Sequence, residues 1–310
     1  MPKNKMSIKI INFISKISLK KQKKVSDKVL HQTGYFEGRE TRKLFYQSWR
    51  SESEQVKAYI IAIHGWGTHS DRISVPAEFL TDKGYNIFAF DLRGHWRNAG
   101  DSPGHIDSMD HIQKDIVLFS DLVKKEAGGK KIFLMGHSFG GLISLIYAIN
   151  HPGLNGIMVS SPLLKLKMEL SLANKLGKKL AKPLSKLSPT KMVSMEIDQN
   201  LLTSDLKILR KHISDDKKLE QISLRTAAEL ENSMKWAMNN ADKLLCPIFI
   251  MQAGNDKLVE KTASKMFYEA IRYEDKQYKE YPGFLHELWN EKGRVQVYRD
   301  MYIWLEKHLK

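Results

Sequence analysis

The 310-residue chain has a single cysteine, Cys246. That count excludes an intramolecular disulfide framework and a four-thiolate zinc site, and it fits a reducing compartment. No apolar run is long or uncharged enough to span a bilayer. Lys9, Asn12 and Lys16 break up the one N-terminal stretch that could serve as a signal-peptide core, and no small-residue cleavage site follows. An H-E-x-x-H helix, an H-x-H-x-D-H run and a carboxylate cluster are all missing. The 11 histidines, including His64, His69, His95 and His105 in neighbouring loops, therefore carry no metal signature. The expectation is a cytoplasmic globular protein without metal or cofactor.

What is abundant is positive charge, with 50 Lys and Arg against 35 Asp and Glu, a formal net of +15. It is concentrated in two segments. Residues 1–28 hold nine Lys against Asp27, and residues 163–191 hold eight Lys against Glu169, which leaves 33 basic and 33 acidic side chains in the other 253 residues. Both segments are also apolar in a helical rhythm: Ile10, Phe13, Ile14 and Ile17 in the first, Leu166, Leu170, Ala173, Leu176 and Leu180 in the second, until Pro183 interrupts. Two readings stand. Each stripe packs on the protein with its lysines in water, or each lies on an anionic membrane surface as a peripheral contact. The lysines sit beside Leu and Ile and are not interleaved with aromatics or arginines, so a nucleic-acid partner is not expected.

Along most of the chain, apolar runs of strand length alternate with helical patterns. This predicts an α/β fold with a mostly parallel eight-stranded sheet flanked by helices. An antiparallel edge pair, "QTGYFE" and "RKLFYQSW", precedes "KAYIIAI", "YNIFAF", "KIFLM", "GIMVS", "CPIFIM" and "KQYKEY". The pattern fails between 162 and 222, where Leu, Lys, Ser and Pro dominate and no strand is expected. We read four segments: a basic amphipathic arm over 1–28, core over 29–161, a helical cap over 162–222 inserted after the sixth strand, and core again over 223–310. Such a cap lies over the carboxyl edge of the sheet, where open α/β sheets bind ligands.

Strand "KIFLM", then Gly136-His137-Ser138-Phe139-Gly140-Gly141, then an apolar helix is a G-x-S-x-G elbow in its required setting. The glycines let the chain turn tightly enough to project the Ser138 hydroxyl out of the sheet at a helix N-terminus. A serine is a weak nucleophile until a base takes its proton, so a histidine and an orienting acid are needed. Asp256 follows "CPIFIM" and His286 follows the next strand, both at strand ends on the edge that carries Ser138. "AIHGWGTHS" supplies a turn whose Trp66 amide, with that of Phe139, is the expected oxyanion hole. His64 is read as a structural hydrogen bonder, and Asp91 as the anchor of a turn.

Taken together, these motifs resemble the serine-hydrolase branch of the α/β-hydrolase superfamily. Within it they are similar to the monoacylglycerol lipase and lysophospholipase group of S33-like hydrolases. The matching stretches are "HGWGTHSDR", "DLRGH", "GHSFGG", "SSPLL", "ISLRTAAEL", "AGNDKLV" and "FLHELWNE", over roughly residues 30 to 310. The resemblance implies hydrolysis of a single-chain acylglycerol ester through an acyl-enzyme, beneath an amphipathic cap. It also suggests substrate contacts at His137, Arg72, His212, Leu163, Leu164 and Leu170. Thr68 stands where the group commonly has a glutamate, and His212 falls near the group's cap tyrosine. Lysophospholipase, carboxylesterase and thioesterase activities are alternatives on the same machinery. A non-catalytic ligand receptor is the alternative from another class.

Overall fold

The computed structural model describes residues 20–26, 29–53, 55–167 and 185–310. Residues 1–19, 27, 28, 54 and 168–184 lie outside the described residues, and with them Ile10, Phe13, Ile14 and Ile17 of the first apolar stripe and Leu170, Ala173, Leu176 and Leu180 of the second. The central feature is a nine-stranded sheet in the order β1-β2-β3-β5-β4-β6-β7-β10-β11. Its strands are β1 (Lys20–Ser26), β2 (Val29–Glu37), β3 (Lys43–Ser51), β4 (Ala58–Ile63), β5 (Tyr85–Phe90), β6 (Ile132–His137), β7 (Ile157–Ser160), β10 (Ile248–Ala253) and β11 (Lys276–Tyr281). The pairs from β5 through β11 are parallel, and β1, β2 and β3 form an antiparallel flank.

The continuous apolar runs follow from burial on both faces. In β4, Tyr59, Ile61 and Ile63 enter one core, while Ala58, Ile60 and Ala62 enter the other. The first core is covered by α2 (Met109–Ala127), α3 (Phe139–Asn150), α5 (Leu224–Asn239) and α6 (Lys261–Ala270). The second is covered by α1 (Ser74–Asp82) and α7 (Arg294–Lys307).

Two sequence expectations are corrected. The sheet has nine strands and not eight, because Lys20–Ser26 of the basic segment is extended and pairs antiparallel with β2. A lysine-rich string gives no apolar alternation to reveal such a strand. The cap segment also contains strand, since β8 (Met192–Ser194) and β9 (Gln221–Ser223) form a short antiparallel ribbon flanking helix α4 (Leu206–Ile213). Three-residue strands are too short to show a period.

The cap leaves β7 under tight restraint. The Leu163 N–H donates to the Ser138 carbonyl (2.9 Å), Lys167 N–H to Leu258 O (2.9 Å), and Glu260 N–H to Lys165 O (2.9 Å). No helix among the described residues is long and apolar enough to cross a membrane.

Candidate active site

The parallel arrangement brings the loops after β4, β6, β7, β10 and β11 to one edge of the sheet, and the candidate residues sit there. Ser138 joins β6 to α3 with φ 54° and ψ −115°, a strained backbone for a residue with a side chain. Its N–H donates to Ser160 O (2.9 Å), and its carbonyl accepts from Leu142 (3.0 Å) as well as Leu163. Both flanking glycines are required by close approach. A Cβ on Gly140 would overlap the Ile63 carbonyl and lie 2.5 Å from His64 O, and one on Gly136 would overlap the Gly140 carbonyl. Because the obstructing atoms are backbone, no side-chain rearrangement relieves the clash.

Asp256 and His286 meet in the neighbouring loops. The His286 Nδ1–H donates to Asp256 Oδ2 (2.8 Å), while Oδ1 accepts from the amides of Leu258 (2.9 Å) and Val259 (3.0 Å). Burial alone would raise the Asp256 pKa. The imidazole and the two amides outweigh it and hold the carboxyl below the usual aspartate value. The acid is therefore ionised and fixes which ring nitrogen of His286 carries the proton, leaving Nε2 as the acceptor nitrogen.

Trp66 and Phe139 lie against each other edge to face, with ring centroids 5.7 Å apart, which fixes the β4 turn against the start of α3. Among the described residues, neither main-chain amide donates a hydrogen bond within the protein. His64 organises the turn: Nε2 accepts from the Leu92 N–H (2.9 Å), and Nδ1–H donates to Gly65 O (2.8 Å). Burial pushes its pKa down to about 3, so it is a neutral strut. Thr68 Oγ1 donates to the same Gly65 carbonyl (3.0 Å). Asp91 anchors the next loop, accepting from Ser70 N–H (2.8 Å), Ser70 Oγ (2.6 Å) and Arg97 Nη1 (3.0 Å).

A cavity of about 90 Å³ opens over Ser138, Trp66, His137 and His286. Its lining includes the apolar Leu163, Leu166, Met195, Leu202, Leu258 and Val259, from both core and cap, and the polar Thr68, Arg72, Glu196, Lys218, Glu220 and Glu287.

The serine aminopeptidase S33 family model matches residues 54–293. The chain belongs to this family. Phospholipase YtpA of Bacillus subtilis is 28% identical over 254 residues, covering 81% of this chain and 96% of that protein. The human monoglyceride lipase is 27% identical over 272 residues, covering 85% and 87%. Among solved structures, a monoacylglycerol lipase from Paleococcus ferrophilus superposes with a TM-score of 0.76 at 26% identity, covering 86% of this chain and all of that one. The chain is thus an α/β-hydrolase of the monoacylglycerol lipase and lysophospholipase group.

Within this S33 family member, the expected substrate contacts divide. Leu163, Arg72 and His137 line the cavity. Leu164 is buried in the core beside Leu163 and does not line it. His212 also lies elsewhere. It is buried on α4 and lines a second cavity, of about 340 Å³, with its Nε2 3.5 Å from Glu287 Oε2. Burial pushes its pKa down.

Sequence reasoning missed Glu287. Burial pushes this carboxyl up, and His212, Arg72 and His137 together pull it down to about 2. Of these neighbours, the Arg72 guanidinium is the lasting positive charge, since both imidazoles favour the neutral form. The available signal was its position: an acid directly after the candidate base in "LHELW", where an apolar residue would suit a buried loop.

Proposed function

We propose that the protein is a serine hydrolase that cleaves the carboxylic ester of a single-chain lipid, monoacylglycerol foremost, through an acyl-enzyme. The observation that carries this reading is the 2.8 Å bond from His286 to the ionised Asp256, at a cavity shared with a strained, glycine-flanked Ser138 and walled by leucines. His286 Nε2 takes the Ser138 Oγ proton as Oγ attacks the ester carbonyl, and the Trp66 and Phe139 amides hold the developing oxyanion. The alcohol then leaves with that proton. A water deprotonated by His286 releases the fatty acid and restores the serine.

The apolar wall supports an acyl chain, and the monoglyceride lipase relatives favour a glycerol ester over a thioester. Turnover of monoacylglycerol and short p-nitrophenyl esters by wild type and Ser138→Ala tests the assignment; equal rates refute it.

A second reading has its own support. Glu196, Glu220 and Glu287 are among the residues that line the cavity, and carboxylates suit the free amine of a peptide substrate. Aminoacyl p-nitroanilides hydrolysed faster than matched esters would establish it.

For the basic segments 1–28 and 163–191, we propose peripheral contact with anionic membrane. Flotation with anionic and neutral vesicles, with and without residues 1–28, tests this, and equal recovery in all arms rejects it.

A further inference from the structure

The cap segment that follows α4 grips the loop after β4 at three of its residues. The Leu219 N–H donates to the Gly67 carbonyl (2.9 Å), and Asp215 Oδ2 accepts from His69 Nε2 (3.0 Å) and from Arg72 Nε and Nη2 (3.1 and 2.8 Å). The other carboxylate oxygen turns inward. Asp215 Oδ1 accepts from the Lys217 N–H (3.1 Å), which closes a turn between the carboxylate and Leu219. Gly67 suits the approach: its φ is 70°, and a Cβ there would come within 3.1 Å of the Leu219 carbonyl oxygen.

Asp215 is the charged centre of this grip. Its side chain is 9% exposed, and although burial raises its pKa, the bond from His69 and the charges of His69 and Arg72 hold it below the usual aspartate value. Lys217 adds a cation over the Trp96 ring, 4.7 Å from its centroid, on the loop after β5.

The gripped residues flank the Trp66 amide. His64 and Thr68 hold the Gly65 carbonyl from the core side, while Leu219 holds the Gly67 carbonyl from the cap side. The Trp66 N–H is thus presented between two fixed carbonyls. A donor to a developing oxyanion is worth most when it is already in place before the charge forms.

We propose that Asp215 is a positioning residue for the oxyanion hole: through the Leu219 to Gly67 bond it holds the Trp66 amide at the site, so that cap docking and transition-state stabilisation are coupled. This rests on the ester-hydrolase reading above, in which that amide is an oxyanion donor.

The test uses p-nitrophenyl acetate, whose short acyl group makes little use of the apolar lining, with rates taken per active site titrated by a fluorophosphonate. Asp215→Ala is expected to lower kcat by about tenfold with KM within about twofold of wild type, since the oxyanion exists only after attack. Asp215→Asn keeps the shape and the acceptor for Lys217, and its kcat should fall between the two. Trifluoroacetone reads the hole directly. Ser138 Oγ adds to its carbonyl carbon, the Oγ proton passes to His286, and the carbonyl electron pair moves onto the oxygen in the hole. Its Ki should rise by about tenfold in Asp215→Ala. Unchanged kcat and Ki, or a loss confined to KM, would overturn the proposal.

Should neither variant fold, wild type still gives the answer, because coupling between two contacts is reciprocal. Hydrogen exchange at the Leu219 amide should slow by about tenfold when the trifluoroacetone adduct forms, and unchanged exchange overturns the proposal. Wild type that fails to hydrolyse the ester, or turnover that survives Ser138→Ala, would instead defeat the ester-hydrolase reading itself.

Discussion

The imidazoles of His137 and His286 face each other with ring centroids 4.8 Å apart. Burial and the neighbouring His286 push the His137 pKa down to about 4, and its Nδ1–H donates to Ser160 O (3.1 Å). One ring of the pair is thus a neutral spacer. The acid limb of the kcat/KM profile should keep its midpoint in His137→Asn, whatever the change in amplitude. A displacement of about one pH unit, which corresponds to about 1.4 kcal/mol of altered interaction, would show instead that the two rings titrate together.

Asp256→Asn removes the acceptor that selects the His286 tautomer. Turnover of a p-nitrophenyl ester is expected to drop by about 10⁴ with circular dichroism unchanged. A loss under tenfold would mean that the geometry survives without the charge.

Thr68 holds the Gly65 carbonyl and, through it, the turn that presents the Trp66 amide. Thr68→Val is isosteric, and its expected cost is a fall of about tenfold in kcat with KM little altered, since the oxyanion exists only after attack. Thr68→Ser should restore most of the rate. A change confined to KM would place the hydroxyl at the substrate instead.

His64 and His95 are buried, with pKa values pushed down to about 3, chiefly by desolvation. Both fold neutral, while an unfolded chain binds protons on them below about pH 6.5. Stability is therefore complete above that pH and declines as pH falls toward 3, by up to about 1.4 kcal/mol per pH unit for each ring. Urea midpoints at pH 7, 6 and 5 should show this slope, and His95→Phe should flatten it. A flat wild-type profile would contradict the buried neutral state.

Much of this was legible in the chain. "YNIFAF" and "KQYKEY" match β5 and β11 residue for residue, because a two-sided sheet leaves unbroken apolar or alternating runs. Asp256 and His286 were found by topology, since parallel strands deliver their following loops to one edge. What sequence could not supply was pairing across distance. Whether His212 turns to Ser138 or to Glu287 depends on how the cap settles on the core, 75 residues away in the chain. The strand β1 was hidden because "KKQKKVS" shows no apolar alternation.

Residues 163–167 are strapped to the Ser138 carbonyl at one end and to the Leu258 carbonyl at the other. A pull on this strap would therefore reach the main chain of Ser138 and the loop that carries Asp256 at once, so the two loops and the start of the cap bear load as one mechanical unit.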